Sequence, residues 1–90
     1  MKIYIVGVRD AEDCNNIYAC KSKATALKRW NELRLEIIDD VKKNMKLSKD
    51  DSSYMLICQR MLKNLYESDY TKMDDHPHEE PFIHEMEVEE

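Results

Sequence analysis

Two histidines around a proline, His76-Pro77-His78, lie between Asp74, Asp75, Glu79 and Glu80. Imidazole and carboxylate both bind divalent ions. A working metal centre also needs ligands held in place by packed structure, and this stretch has no apolar periodicity to hold them. It reads as a solvated tract, and no metal or cofactor is assigned. Cys14 and His84 can be drawn as a thiol–imidazole pair, but nothing in their spacing brings them together. Ser22, Ser52 and Ser53 fall where helix caps are expected, and no histidine precedes residue 76. Asp39-Asp40 and Asp50-Asp51 are adjacent pairs whose side chains diverge on a helix. Gly7 is the only glycine, which argues against a phosphate-cradling loop and leaves few ways to build a deep pocket. The sequence therefore offers no catalytic residues, and a non-enzyme is expected.

Carboxylates are the more promising pattern. Residues 67–90 hold ten acidic side chains and one lysine, against thirteen basic and nine acidic in residues 1–66. The body thus carries +4 and the tail −9, which together give the net −5 of the chain. Such an asymmetry points to an electrostatic partner or to the tail folding onto the body. On an extended strand Glu85, Glu87 and Glu89 share one side at intervals of about 7 Å, near the phosphate spacing of one nucleic-acid strand. The expected partner-binding set is Asp74, Asp75, Glu79, Glu80, Glu85, Glu87, Glu89 and Glu90. It would meet a protein with a basic surface, and its spacing suits imitation of nucleic acid. A plainer role for glutamates on an edge strand is to discourage unwanted strand pairing.

Basic residues support a second reading. Lys21, Lys23, Lys28, Arg29, Arg34, Lys42, Lys43, Lys46 and Lys49 give the first helix and its flanks a positive cast suited to phosphate contacts. The net negative charge opposes this, so a small nucleic-acid-binding regulator is the alternative rather than the first choice.

These groups depend on the elements that carry them. Ninety residues make one domain. Residues 2–8, KIYIVGV, read as a strand with apolar side chains on both faces, which places it centrally in a sheet. The polar stretch 9–16 reads as a connection, and 17–20 as the return arm of a hairpin. Ser22 is a candidate N-cap for a helix reaching about residue 45, with Ala26, Trp30, Leu33, Ile37 and Val41 along its buried stripe. A second helix over roughly 50–67 shows Tyr54, Cys58, Met61 and Leu65 on one face, to be packed on the first helix and on the sheet. Residues 67–80 read as an acidic linker. Pro81 opens a last, acidic edge strand in which Phe82, Met86 and Val88 alternate with Ile83, Glu85 and Glu87. The expectation is a small α+β domain, β-β-α-α-β, with a three-stranded, mainly antiparallel sheet against two helices. It divides into a mildly basic body (1–66), the linker (67–80) and an acidic strand and tail (81–90).

Cys14, Cys20 and Cys58 lack CxxC spacing, and Cys20 and Cys58 fall at expected core positions as packing thiols; a Cys14–Cys20 disulfide across the hairpin is the alternative and would need an oxidising setting. No apolar run approaches the ~20 residues of a membrane span, and the N-terminus is unlike a signal peptide, so a cytoplasmic, membrane-free protein is expected. Tyr18, Tyr54, Tyr66 and Tyr70 exceed what so small a core can bury. A homodimer through the sheet edge or the helical pair therefore stands beside a monomer.

The segments KIYIV, YACKSKATALKRW and PFIHEMEVEE, taken in that order, resemble the layout of small accessory proteins encoded by bacteriophages. The resemblance implies a protein at work in an infected bacterial cytoplasm that binds and inhibits a host protein, a host enzyme or defence system. It implies no catalytic residues.

Overall fold

A computed structural model of the chain describes residues 1–10, 12–67, 71 and 80–89. Most of the expected linker, with Asp74, Asp75, His76, His78 and Glu79, lies outside the described residues, as do Tyr70 and Glu90. The elements are β1 (Lys2–Arg9), β2 (Cys14–Cys20), α1 (Lys23–Leu47), α2 (Ser52–Leu65) and β3 (Glu80–Glu87). The sheet has the order β2-β1-β3, antiparallel throughout, so the doubly apolar β1 is central as expected.

The hairpin is tighter than the sequence implies. Its ladder runs on through Val8↔Asn15 and Arg9↔Cys14, which takes Arg9 and 14–16 out of the expected connection and into strands. Asp10 closes what remains. Its carboxylate accepts the amides of Glu12 and Asp13 at 2.8 Å each, and its own N–H donates to the Asp13 carbonyl at 2.9 Å. The amides of Asp13 and Glu12 hold the Asp10 carboxyl below the usual carboxylate range. The register shifts between Val6 and Gly7, leaving Ile17 as the extra residue of a β-bulge in β2. Gly7 is required here, because a Cβ would sit 2.0 Å from the Asn15 carbonyl oxygen and 3.0 Å from the Phe82 ring.

Ser22 caps α1 as its type suggests, accepting the Thr25 amide at 3.1 Å. Asp51 does the same for α2 through the Tyr54 amide at 3.0 Å. At 25 residues α1 is about 37 Å long and outreaches the sheet. Two cores therefore lie along it. At the sheet, Ala26, Trp30 and Leu33 pack with Val6 and Cys20, supported by Tyr4, Val8, Tyr18 and Ile83. Farther along α1, Ile37, Ile38 and Val41 pack with Cys58 and Leu65 of α2, with Val8 of β1 and Met45, Tyr54, Met61 and Leu62 around them. The helical pair projects from the sheet, and the molecule measures 55 × 23 × 20 Å. α2 packs chiefly on α1 rather than across the sheet, because the loop joining them lies at the far end of a helix longer than the strands.

Arg34 couples the two cores. Its guanidinium lies 5.5 Å from the Trp30 ring centroid and donates to the Leu65 carbonyl at the end of α2, at 2.9 Å. Trp30 fastens β3 in turn: its indole N–H donates to the Pro81 carbonyl at 3.2 Å in a buried position. As expected, Cys20 and Cys58 are buried; Cys14 is exposed, and the three cysteines are free thiols. No helix among the described residues is long and apolar enough to cross a membrane.

Candidate interaction surface

The described members of the expected acidic set do not form one patch. Glu80 is 1% exposed. Arg9 Nε donates to one of its oxygens at 2.8 Å and Asn64 Nδ2 to the other at 3.0 Å, so Glu80 is a structural carboxylate joining β1, β3 and α2. Placing it with solvent-facing acids is corrected on that ground: a desolvated carboxylate with two donors has no oxygen to offer a partner. Glu85 pairs with Lys2 at 3.0 Å, and Glu87 lies 3.4 Å from the N-terminal ammonium. The hydrogen bond and charge of Glu85 raise the Lys2 pKa above its ordinary value. Glu89 is exposed. The strand that looked like an acidic ladder is thus largely matched by cations at the start of β1. The antiparallel register sets Lys2 across from Glu87 and Tyr4 across from Glu85, and Lys2 reaches diagonally to Glu85 on the same face.

An acidic cluster that the sequence reading passed over lies on α1. Glu32, Glu36 and Asp39 surround the exposed Leu35 on the solvent side of the helix. Their spacing of three and four residues was visible, but their scatter among lysines hid it. Two of these acids are partnered, Glu32 by Arg29 and Asp39 by Lys43, each at 3.3 Å. The same cluster interrupts the basic residues of α1. Lys28 and Arg29 stand at one end of it and Lys42, Lys43 and Lys46 at the other, with about 20 Å of helix between Lys28 and Lys42. Arg34 is turned inward. Phosphates of a duplex would meet no continuous basic stripe there.

The candidate chemistry is equally dispersed. Cys14 lies opposite Arg9 and His84 opposite Ile5, on different outer strands and about 13 Å apart along β1 alone. Among the described residues no cluster of histidine, cysteine and carboxylate could hold a metal ion.

What remains is the side of the sheet turned away from the helices. Tyr4, Val6 and Val8 face α1, so Ile3, Ile5 and Gly7 face the opposite way. Around them stand Ala19 from β2 and Phe82, His84 and Met86 from β3, by the pairings Ile5↔Ala19, Gly7↔Phe82, Ile5↔His84 and Ile3↔Met86. Phe82 lies against Gly7 with the Arg9 guanidinium 5.7 Å from its ring centroid, which leaves it only 8% exposed. Ile3 and Ile5 are half-buried, and Ala19, His84 and Met86 are exposed. A groove of about 240 Å³ runs between Ile5, Arg9, Cys14, Phe82, His84 and Met86. The apolar alternation on both sides of β1 was the signal for this face; what it lacked was the knowledge that both helices lie on one side.

Set against protein families, curated proteins and solved structures, the chain matches none of them.

Proposed function

We propose that this protein is a non-enzymatic binding module that engages another protein through the helix-free side of its sheet. One observation carries the reading: Ile3, Ile5, Ala19 and Met86 form an apolar surface that no described element covers. A sheet buried on one side and wet on the other ordinarily alternates apolar with polar residues, and β1 does not. The resemblance to phage accessory proteins supplies the class of partner, a host protein, and inhibition as the outcome of binding. The favoured partner offers an apolar patch and carries a net positive charge. Its apolar part would sit on Ile3, Ile5 and Met86; Glu85 and Glu87 alternate with Met86 and project to the other side of the sheet, so with Glu89 they act on a basic partner only at long range. In this arrangement the buried apolar centre sets affinity and the acidic charge of β3 sets the rate of encounter.

Capture of partners from a bacterial lysate by the tagged full chain, followed by mass spectrometry, tests this. Ile5→Lys combined with Met86→Lys should abolish capture of the bound host protein while circular dichroism stays unchanged. Glu85→Lys, Glu87→Lys and Glu89→Lys together should slow association and leave the complex intact. Capture that survives the first pair and fails with the second trio would return the contact to the acidic strand.

A further inference from the structure

The two outer strands are unequally protected. β3 begins with a buried glutamate and a proline and carries Glu85 and Glu87. β2, Cys14-Asn15-Asn16-Ile17-Tyr18-Ala19-Cys20, has no charged residue and no proline across seven positions. Its outer backbone groups pair with no described strand, since β2 stands at the end of the sheet. Ile17 at its centre is 48% exposed. Edge strands usually carry lysine, proline or inward charges that forbid further pairing. β2 has only its bulge.

The residues flanking β2 are charged, and oppositely so. Asp10, Glu12 and Asp13 precede it, Lys21 and Lys23 follow it, and all five are exposed. None of the five forms an ion pair among the described residues. An antiparallel pairing of β2 with a second β2 about a two-fold axis places the first flank of one copy beside the last flank of the other. Acid then meets base at both ends of the new ladder, and the uncharged strands meet between them. The bulge divides β2 into halves 14–16 and 18–20, and the two-fold sets each half against the other half of the partner. Self-pairing of β3 would instead bring like charges together.

We infer that the protein forms a symmetric homodimer through β2, a six-stranded sheet with each copy contributing three strands. The occupant of this edge is therefore a second copy of the chain, selected by Asp10, Glu12 and Asp13 against Lys21 and Lys23. This is independent of the binding proposed for the sheet face, which either a dimer or a monomer presents.

Sedimentation velocity of the full chain from about 1 to 100 µM should show a monomer–dimer equilibrium. Lys21→Glu with Lys23→Glu should weaken association at least about tenfold, and Glu12→Lys with Asp13→Lys should do the same. Combining all four substitutions restores opposite flanks and should restore the dimer. Restoration also shows that the single sets had not failed to fold. A wild-type chain that stays monomeric throughout would overturn the inference. So would a dimer indifferent to both flank reversals, or one that the four-fold variant fails to recover.

Discussion

β2 and β3 occupy equivalent positions on either side of β1, yet the molecule treats them differently. β3 is fastened from behind by Trp30, from below by Arg9 and Asn64, and at its end by the Val88 amide donating to the Met1 carbonyl at 2.8 Å. Its glutamates face cations of the neighbouring strand. β2 is held by its ladder to β1, by Cys20 in the core and by Arg29, whose guanidinium lies 4.8 Å from the Tyr18 ring centroid. The comparison teaches that a cluster of acids in a sequence is not an acidic surface. Charge on an edge strand can be spent internally, and the uncharged edge is then the one left open.

The largest expected effect falls on the fastening of β3. Trp30→Ala should cost about 3–5 kcal/mol, because it empties the sheet-side core and frees the Pro81 carbonyl. Urea denaturation reads this directly. Trp30→Phe should recover most of it, and equal losses would mean that the hydrogen bond, not the packing, dominates. Arg9→Ala should follow at roughly 3 kcal/mol, since it leaves the Glu80 carboxylate buried without its cation. Glu80→Gln should be milder, because the amide keeps hydrogen-bonding capacity toward Asn64. A reversal of that order would show that the Arg9–Glu80 ion pair does not carry the junction.

Gly7→Ala comes next, at roughly 2 kcal/mol, because the added methyl meets backbone rather than a yielding side chain. It strikes the β1–β2 side, so amide exchange should quicken in β2 before β3. Exchange that rises first in β3 would place the strain at Phe82 instead.

The smallest effects belong to surface charge. Lys2→Ala should change stability least of these, as exposed pairs do. The raised Lys2 pKa gives the linkage its sign. The contribution of the pair is complete below the unfolded-state lysine pKa and disappears as pH rises through the higher folded value. The lowered Asp10 pKa works the other way: its contribution is present above the unfolded carboxylate pKa and is lost as pH falls through the lower folded value. Lys2→Ala and Asp10→Asn should therefore flatten opposite limbs of the stability–pH curve.

The sequence made much of this fold legible. Apolar residues on both faces of KIYIVGV put β1 in the middle, and the stripe from Ala26 to Val41 marked α1 and its buried side. Ser22 announced the helix start. Alternation in the last segment marked β3 and set His84 on the same side as Phe82 and Met86. What escaped was long-range. Asn15 and Asn16 looked like a turn because their strand pairing depends on Gly7 and Val8, distant in local pattern and fixed only by register. Glu80 looked like one more solvated acid because its donors, Arg9 and Asn64, are 71 and 16 residues away. The matching of Glu85 to Lys2 likewise needs the ends of the chain to meet. The sheet face was half legible: both sides of β1 were visibly apolar, but the side left uncovered is decided by where the helices go.

Hydrogen exchange of the wild-type chain at low and high protein concentration bears most directly on the difference between the edges. Amides of β2 should become protected as concentration rises, while those of β3 stay unchanged. Protection growing in β3, or in neither strand, would contradict the account.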